Sequence, residues 1–236
     1  MQLFYQPDID DSQSEVHFDK EESRHLIRVL RKKVGDSLSV TDGKGGLFTV
    51  EVTLADDKRS QGRIVRVSKQ AKPDATLEIG IAPTKLNDRM EWFLEKSTEI
   101  GIHTISPIIC DRSERRILKL ARMERIIVSA AKQSLKHIFP KIQDQLSFEE
   151  YIKKDWPVNT QLFIAHCGES PRKLLNDQLQ TGRPVVVLIG PEGDFTPKEV
   201  DLALKVGFEP VSLGKSRLRT ETAGIVACHL FNLANP

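Results

Sequence analysis

The run Pro184-Val185-Val186-Val187-Leu188-Ile189 stops abruptly at Gly190, and no other feature restricts the fold as tightly. A continuous β-branched and aliphatic stretch without polar alternation is the pattern of a strand buried on both faces, which belongs to a parallel sheet covered by helices. The chain then turns through Gly190-Pro191-Glu192-Gly193-Asp194 and reaches Thr196-Pro197-Lys198-Glu199. Thr with Glu three residues on is a capping box, and Pro suits the first helical position, so a helix starts there. A buried strand handing the chain to a capped helix marks the sheet edge where open α/β folds bind ligands.

Elsewhere the period changes once. Leu38, Val40, Phe48, Val50, Val52, Leu54, Ile64, Val65 and Val67 alternate with period two, and Asp42-Gly43-Lys44-Gly45-Gly46 supplies a hairpin turn. With a basic helix over 21–31, this predicts a small β-barrel in residues 1–72. The polar stretch Lys69-Gln70-Ala71-Lys72-Pro73-Asp74 places a boundary there. Over 73–236 strand and helix patterns alternate, which predicts a mostly parallel α/β domain. Strands are expected at 77–82, 105–110, 162–165, 185–189 and 211–213. Helices are expected from Asn87 or Asp88 to Gly101, over 117–137, and over 221–234. The last is apolar on nearly every side and must be covered by loops of its own chain or by a second subunit.

No run of about 18 apolar residues suggests a membrane span, and Met1-Gln2-Leu3-Phe4-Tyr5-Gln6-Pro7-Asp8 lacks a signal-peptide pattern, so the cytosol is expected. Cys110, Cys167 and Cys228 are too scattered for a disulfide framework or a metal site and read as reduced core residues. The six histidines show no metal-ligand spacing, so no metal is expected. The net charge of +2 hides two basic segments: residues 111–141 carry nine Lys or Arg against three acids, and residues 24–33 carry five against none. Such segments suit a polyanion, and equally the solvated faces of ordinary helices.

Gly214-Lys215-Ser216 lacks the glycine that a P-loop needs at 209, where Glu209 stands. Gly43-Lys44-Gly45-Gly46 lies between strands rather than between strand and helix, so it is no dinucleotide fingerprint. A second loop matches the first in kind. Val211-Ser212-Leu213-Gly214 ends a short strand and leads through Arg217-Leu218-Arg219 into Thr220-Glu221-Thr222-Ala223. Two neighbouring strand ends of this type build one pocket floored by backbone amides and rimmed by Arg217, Arg219 and Glu221.

Ile189-Gly190-Pro191-Glu192-Gly193 with Leu213-Gly214-x-x-x-Leu218-Arg219-Thr220-Glu221-Thr222-Ala223 resembles the signature of the bacterial 16S ribosomal RNA uridine N3-methyltransferases, a branch of the SPOUT class. The likeness continues in Arg24-His25-Leu26, Gly35-Asp36, Lys85, Asp88-Arg89-Met90, Glu99-Ile100-Gly101, Arg112-Ser113 and Gln133-Ser134. Asp194 departs from it, standing where a second Gly is common, as does Lys132 where Glu is common.

The resemblance implies an N-terminal PUA-like barrel, a C-terminal α/β domain with a deep trefoil knot, and a homodimer. It implies S-adenosylmethionine held by Ala165, His166, Ile189, Gly190, Pro191, Glu192, Gly193, Leu213, Gly214, Ser216 and Leu218. The substrate implied is 16S rRNA or the assembled small subunit, contacted by Arg24, Arg28, Arg31, Lys32, Arg112, Arg115, Arg116 and Lys132. Removing the N3 proton and stabilising the resulting charge are roles expected of Glu221 and Arg219, respectively. A non-catalytic RNA-binding protein is the alternative in a different class.

Overall fold

A computed structural model of the chain describes residues 2–168 and 172–236. Its contacts separate two compact units, Met1–Lys72 with Ala131–Phe139 and Pro73–Ala130 with Pro140–Pro236.

The first unit contains β1 (Leu3–Tyr5), β2 (Glu15–His17), α1 (Lys20–Arg24), a π-helical turn (His25–Val29), β3 (Ser37–Thr41), β4 (Gly46–Leu54) and β5 (Gln61–Lys69). The strands form one sheet in the order β1-β3-β4-β5-β2. β4 keeps the alternation of its sequence, with Phe48, Val50 and Val52 buried beside Phe4, Leu26 and Val40. In β5 a register shift opposite Thr49 and Val50 breaks the alternation, and Val65 faces out. Asp19 caps α1 by accepting the Glu22 N–H at 2.8 Å.

The second unit is a parallel sheet. Its strands are β6 (Leu77–Ile81), β7 (Thr104–Ile109), β8 (Lys141–Ile142), β9 (Leu146–Ser147), β10 (Gln161–Ala165), β11 (Lys173–Leu174), β12 (Val185–Ile189) and β13 (Glu209–Ser212). The order is β11-β13-β10-β12-β6-β7-β8, with β9 also on β7, and every pair is parallel. All five residues of β12 are buried, as a strand packed on both faces requires.

Alternate side chains of β12 enter two different cores. Val185, Val187 and Ile189 join a cluster with α2 (Asn87–Ile100) and α7 (Thr220–Ala234), through Met90, Phe93, Leu94, Ala227, Cys228 and Phe231. Val186 and Leu188 join Phe148, Tyr151, Phe195, Ala203 and Phe208 on the opposite side. Gly224 lets α7 approach α2 closely, because a Cβ there would lie 2.5 Å from the Phe93 ring. Thr196 and Glu199 form the expected capping box of α6 (Pro197–Lys205).

The helix expected over 117–137 is shorter. α3 spans Leu120–Gln133, and beyond it Leu135 adopts φ +56° while the Lys136 N–H bonds Ala131 O at 2.9 Å. That five-residue reach closes the helix before Pro140 is needed to stop it. The strands β1, β2, β8, β9 and β11 and the short helices α4 (Phe148–Ile152) and α5 (Leu175–Gln178) were not expected. No described helix is long and apolar enough to cross a membrane.

Candidate functional site

Parallel strands end at one edge, and the C-terminal ends of β13, β10 and β12 are neighbours there. Register puts Ala165 beside Ile189 on one side and Val211 on the other. Two adjoining cavities of about 270 and 380 Å³ open at this edge and share Ala165, Cys167, Arg217, Leu218 and Ala223 as lining. The smaller adds Ile189, Gly190, Pro191, Glu192, Asp194, Arg219 and Thr220. The larger adds His166, Arg172, Leu213, Gly214, Lys215 and Ser216, among others. The ends of β12 and β13, expected to be neighbours, have β10 between them, and the end of β10, with Ala165 and His166, completes the site.

The Gly190–Asp194 turn is held from several directions. Thr220 Oγ1 donates to Gly190 O at 3.0 Å in a buried bond. The Lys85 N–H donates to Glu192 Oε1 at 2.9 Å, and Arg112 donates to Gly193 O at 2.8 Å. Asp194 has φ +63°, a left-handed conformation that Asp tolerates better than most residues. Its Oδ2 accepts the Cys167 N–H at 2.8 Å, tying the β12 turn to the end of β10.

His166 is buried, and its Nδ1 accepts the Gly168 N–H at 3.1 Å. In the neutral ring the proton therefore sits on Nε2, which is buried and has no partner among the described residues. Burial holds the His166 pKa below its ordinary value; Arg172 adds to this and Asp194 opposes it.

All the residues expected to hold a cofactor line these cavities except Gly193, whose carbonyl is taken by Arg112. Sequence reading missed Asp194, Cys167, Arg172 and Ala223. Cys167 was read as a core residue and is exposed, whereas Cys110 and Cys228 are buried.

Arg219 lines the smaller cavity, but Glu221 does not stand at its mouth. Its side chain is 7% exposed, with Oε1 3.8 Å from Arg89 Nε and Oε2 buried with no partner among the described residues. Position two of α7 turns this carboxylate toward α2 instead of into the site.

The basic residues divide by how occupied they are. Arg115 donates to the carbonyls of Thr84 and Lys85, and Arg116 to that of Asp111. Arg28 pairs with Asp57, Lys32 donates to Ser37 O, and Lys132 pairs with Glu22 at 2.5 Å. Arg24 and Arg31 are exposed and make no side-chain hydrogen bond or ion pair among the described residues. No group of three metal-ligating side chains occurs among the described residues.

Comparison with known proteins bears on this geometry directly. Residues 71–232 match the model of an RNA methyltransferase domain, and residues 18–65 that of an RNA methyltransferase PUA domain. The ribosomal RNA small subunit methyltransferase E of Synechocystis sp. is 34% identical over 218 residues, covering 88% of this chain and 69% of that protein. A crystal structure of a probable rRNA-methyltransferase from Porphyromonas gingivalis superposes with a TM-score of 0.92 at 44% identity, over 99% of this chain and 98% of that one. The ribosomal RNA small subunit methyltransferase E of Neisseria gonorrhoeae, crystallised bound to S-adenosyl methionine, gives a TM-score of 0.84 at 30% identity, over 99% and 97%. With a PUA-type unit followed by a parallel sheet whose ligand edge carries this cavity, the chain belongs to the RNA methyltransferase family.

Proposed function

We propose that this chain is an S-adenosylmethionine-dependent methyltransferase acting on N3 of a uridine in the 16S rRNA of the small ribosomal subunit. The observation that carries the reading is the cavity at the joined ends of β13, β10 and β12 in a chain of this family. Its lining fits such a cofactor. Ala165, Ile189, Leu218 and Ala223 offer apolar surface for a nucleoside, while Glu192 and Asp194 offer polar groups at its edge. When bound, S-adenosylmethionine supplies a methyl group already activated on a positively charged sulfur.

The residues of the chain then have to orient the base and manage its charge. Uridine N3 attacks only after losing its proton, which spreads negative charge onto O2 and O4. Arg219, exposed on the cavity wall, is placed to stabilise that charge. Glu221, turned to Arg89, is assigned a positioning role at the start of α7 in place of the proton acceptor expected from sequence. Glu221→Gln should lower kcat without removing an ionisation from its pH profile; loss of the acidic limb would restore Glu221 as the base.

Arg24 and Arg31, with their side chains unengaged, lead the RNA contacts, and phosphate binding there positions RNA without reading the base. Two finer features belong to the same reading. After β13 the chain returns across β10 so that α7 packs on β6 and β12, which supports a trefoil knot. Val226 and Leu230 of α7 are half-buried and Leu233, on the same face, is 61% exposed, an apolar strip that supports cover by a second subunit in a homodimer. Nucleoside mass spectrometry of small-subunit rRNA incubated with the protein and S-adenosylmethionine tests the whole. New 3-methyluridine is expected, and its absence, or a different methylated nucleoside, would overturn the assignment.

A further inference from the structure

The lining of the joined cavities changes sign across the sheet. On the β12 side stand the carboxylates of Glu192 and Asp194. Arg112 and Arg115, which brace that side, already donate to the carbonyls of Gly193, Phe195, Thr84 and Lys85. On the β13 side Lys215 and Arg217 line the cavity from the exposed segment after Gly214, and Arg172 lines it from the residue before β11. β11 pairs with β13 at the sheet edge and adds the exposed Lys173.

These cations have no counter-charge of their own. Lys173, Lys215 and Arg217 make no side-chain hydrogen bond or ion pair among the described residues. Lys215, Arg217 and Arg219 recur at every second residue between Gly214 and α7, and like charges so closely spaced repel one another until a polyanion neutralises them. A nucleoside of an RNA chain enters a cavity only when unstacked, with the strand on either side of it left outside. The phosphates of that strand are repelled by the Glu192–Asp194 wall and attracted by the opposite one, which fixes the side along which the strand runs.

We infer that Lys215 and Arg217, with Arg172 and Lys173, form a docking strip for the sugar–phosphate backbone of single-stranded RNA, and that this strip links RNA binding to cofactor binding. It rests on the methyltransferase reading only in taking an RNA nucleoside as the group presented to the cavity. The link follows from the segment that carries the strip. Gly214, Lys215, Ser216 and Arg217 line the cofactor cavity, yet the bonds that hold the segment are local ones between Ser212 and Gly214. Whichever ligand orders the segment first lowers the ordering cost for the other, and the coupling is reciprocal.

Filter binding of transcribed 16S rRNA over a salt series, with and without saturating S-adenosylhomocysteine, tests the inference. That ligand carries no net charge, so any tightening reads the ordering of the segment rather than attraction to phosphate. Lys215→Gln with Arg217→Gln alters two exposed side chains, and the fold should survive. Lys153→Gln with Lys205→Gln removes the same charge from the ends of α4 and α6. The slope of log affinity against log salt should become shallower by about 1.4 in the first double variant and stay unchanged in the second. S-adenosylhomocysteine should tighten RNA binding about fivefold in the unsubstituted protein and less than about twofold in the first variant. An unchanged slope in the first variant, an equal change in both, or RNA affinity indifferent to S-adenosylhomocysteine would each overturn the inference. If 3-methyluridine still forms in those cases, the inference alone falls. If slope and coupling behave as expected and no 3-methyluridine forms, the methyltransferase reading falls and the strip stands.

Discussion

The two walls of the cavity are built by the same device and held very differently. Both follow a parallel strand that ends near a glycine, β12 at Gly190 and β13 before Gly214. The Gly190–Asp194 wall is tied to α7, to the β6–α2 connection, to Arg112 and to the end of β10. The Gly214–Arg217 wall is exposed, and its own stabilising bonds are local ones between Ser212 and Gly214. One wall is preformed and the other is free to adjust, so ligand binding should order the second against the first.

Cutting the strongest tie of the fixed wall should have the largest effect. Thr220→Val keeps the shape but strands the buried Gly190 carbonyl, which should cost about 1–3 kcal/mol in chemical unfolding. Affinity for S-adenosylhomocysteine should fall in parallel. Full retention of stability would mean that this wall is as adaptable as its partner.

On the free wall, Gly214→Ala tests backbone conformation alone. Gly214 has φ +135°, while a Cβ there would meet nothing within 4 Å. The substitution should cost about 1 kcal/mol, less than Thr220→Val, because an exposed loop can relax. A larger loss would show that the loop is held more firmly than its bonds suggest.

Arg112→Ala should be milder still, removing bonds from an exposed side chain to Gly193 O and Phe195 O, with an expected loss of about 0.5–1 kcal/mol. It also separates two roles. If Arg112 serves chiefly to hold the wall, cofactor affinity drops while the salt slope of RNA binding is kept; if it touches phosphate, that slope falls by about one.

What sequence made legible in these walls follows the same division. The buried run of β12 and the Thr196–Glu199 cap are local patterns, and both formed where expected. β11, with two exposed residues, has no periodicity to read, yet it extends the sheet beside β13. α3 ends at Gln133 because Leu135 takes a left-handed turn, which its side chain does not advertise. Glu221 looked chemical from its neighbours Arg219 and Thr220, but one step along a helix swings a side chain by about 100°, which carried it to Arg89. Asp194 broke a glycine pattern, and its positive φ, the physical reason a glycine would suit the position, became visible only with the backbone.

The smallest expected effect concerns pH. His166 is held neutral in the folded chain by burial, so its folded pKa lies below the unfolded value of about 6.5. Between those two values the unfolded chain binds more protons, and stability rises with pH. The contribution of His166 is therefore fully present above about pH 6.5 and lost as pH falls through the depressed folded value. Unfolding curves from pH 8 down to pH 5 should show a decline in the unsubstituted protein that is shallower in His166→Asn. Because Asp194 opposes the shift, Asp194→Asn should push the folded pKa of His166 lower and steepen the decline. Coincident curves for all three proteins would mean that the junction of the fixed wall with the end of β10 does not sense the charge on His166.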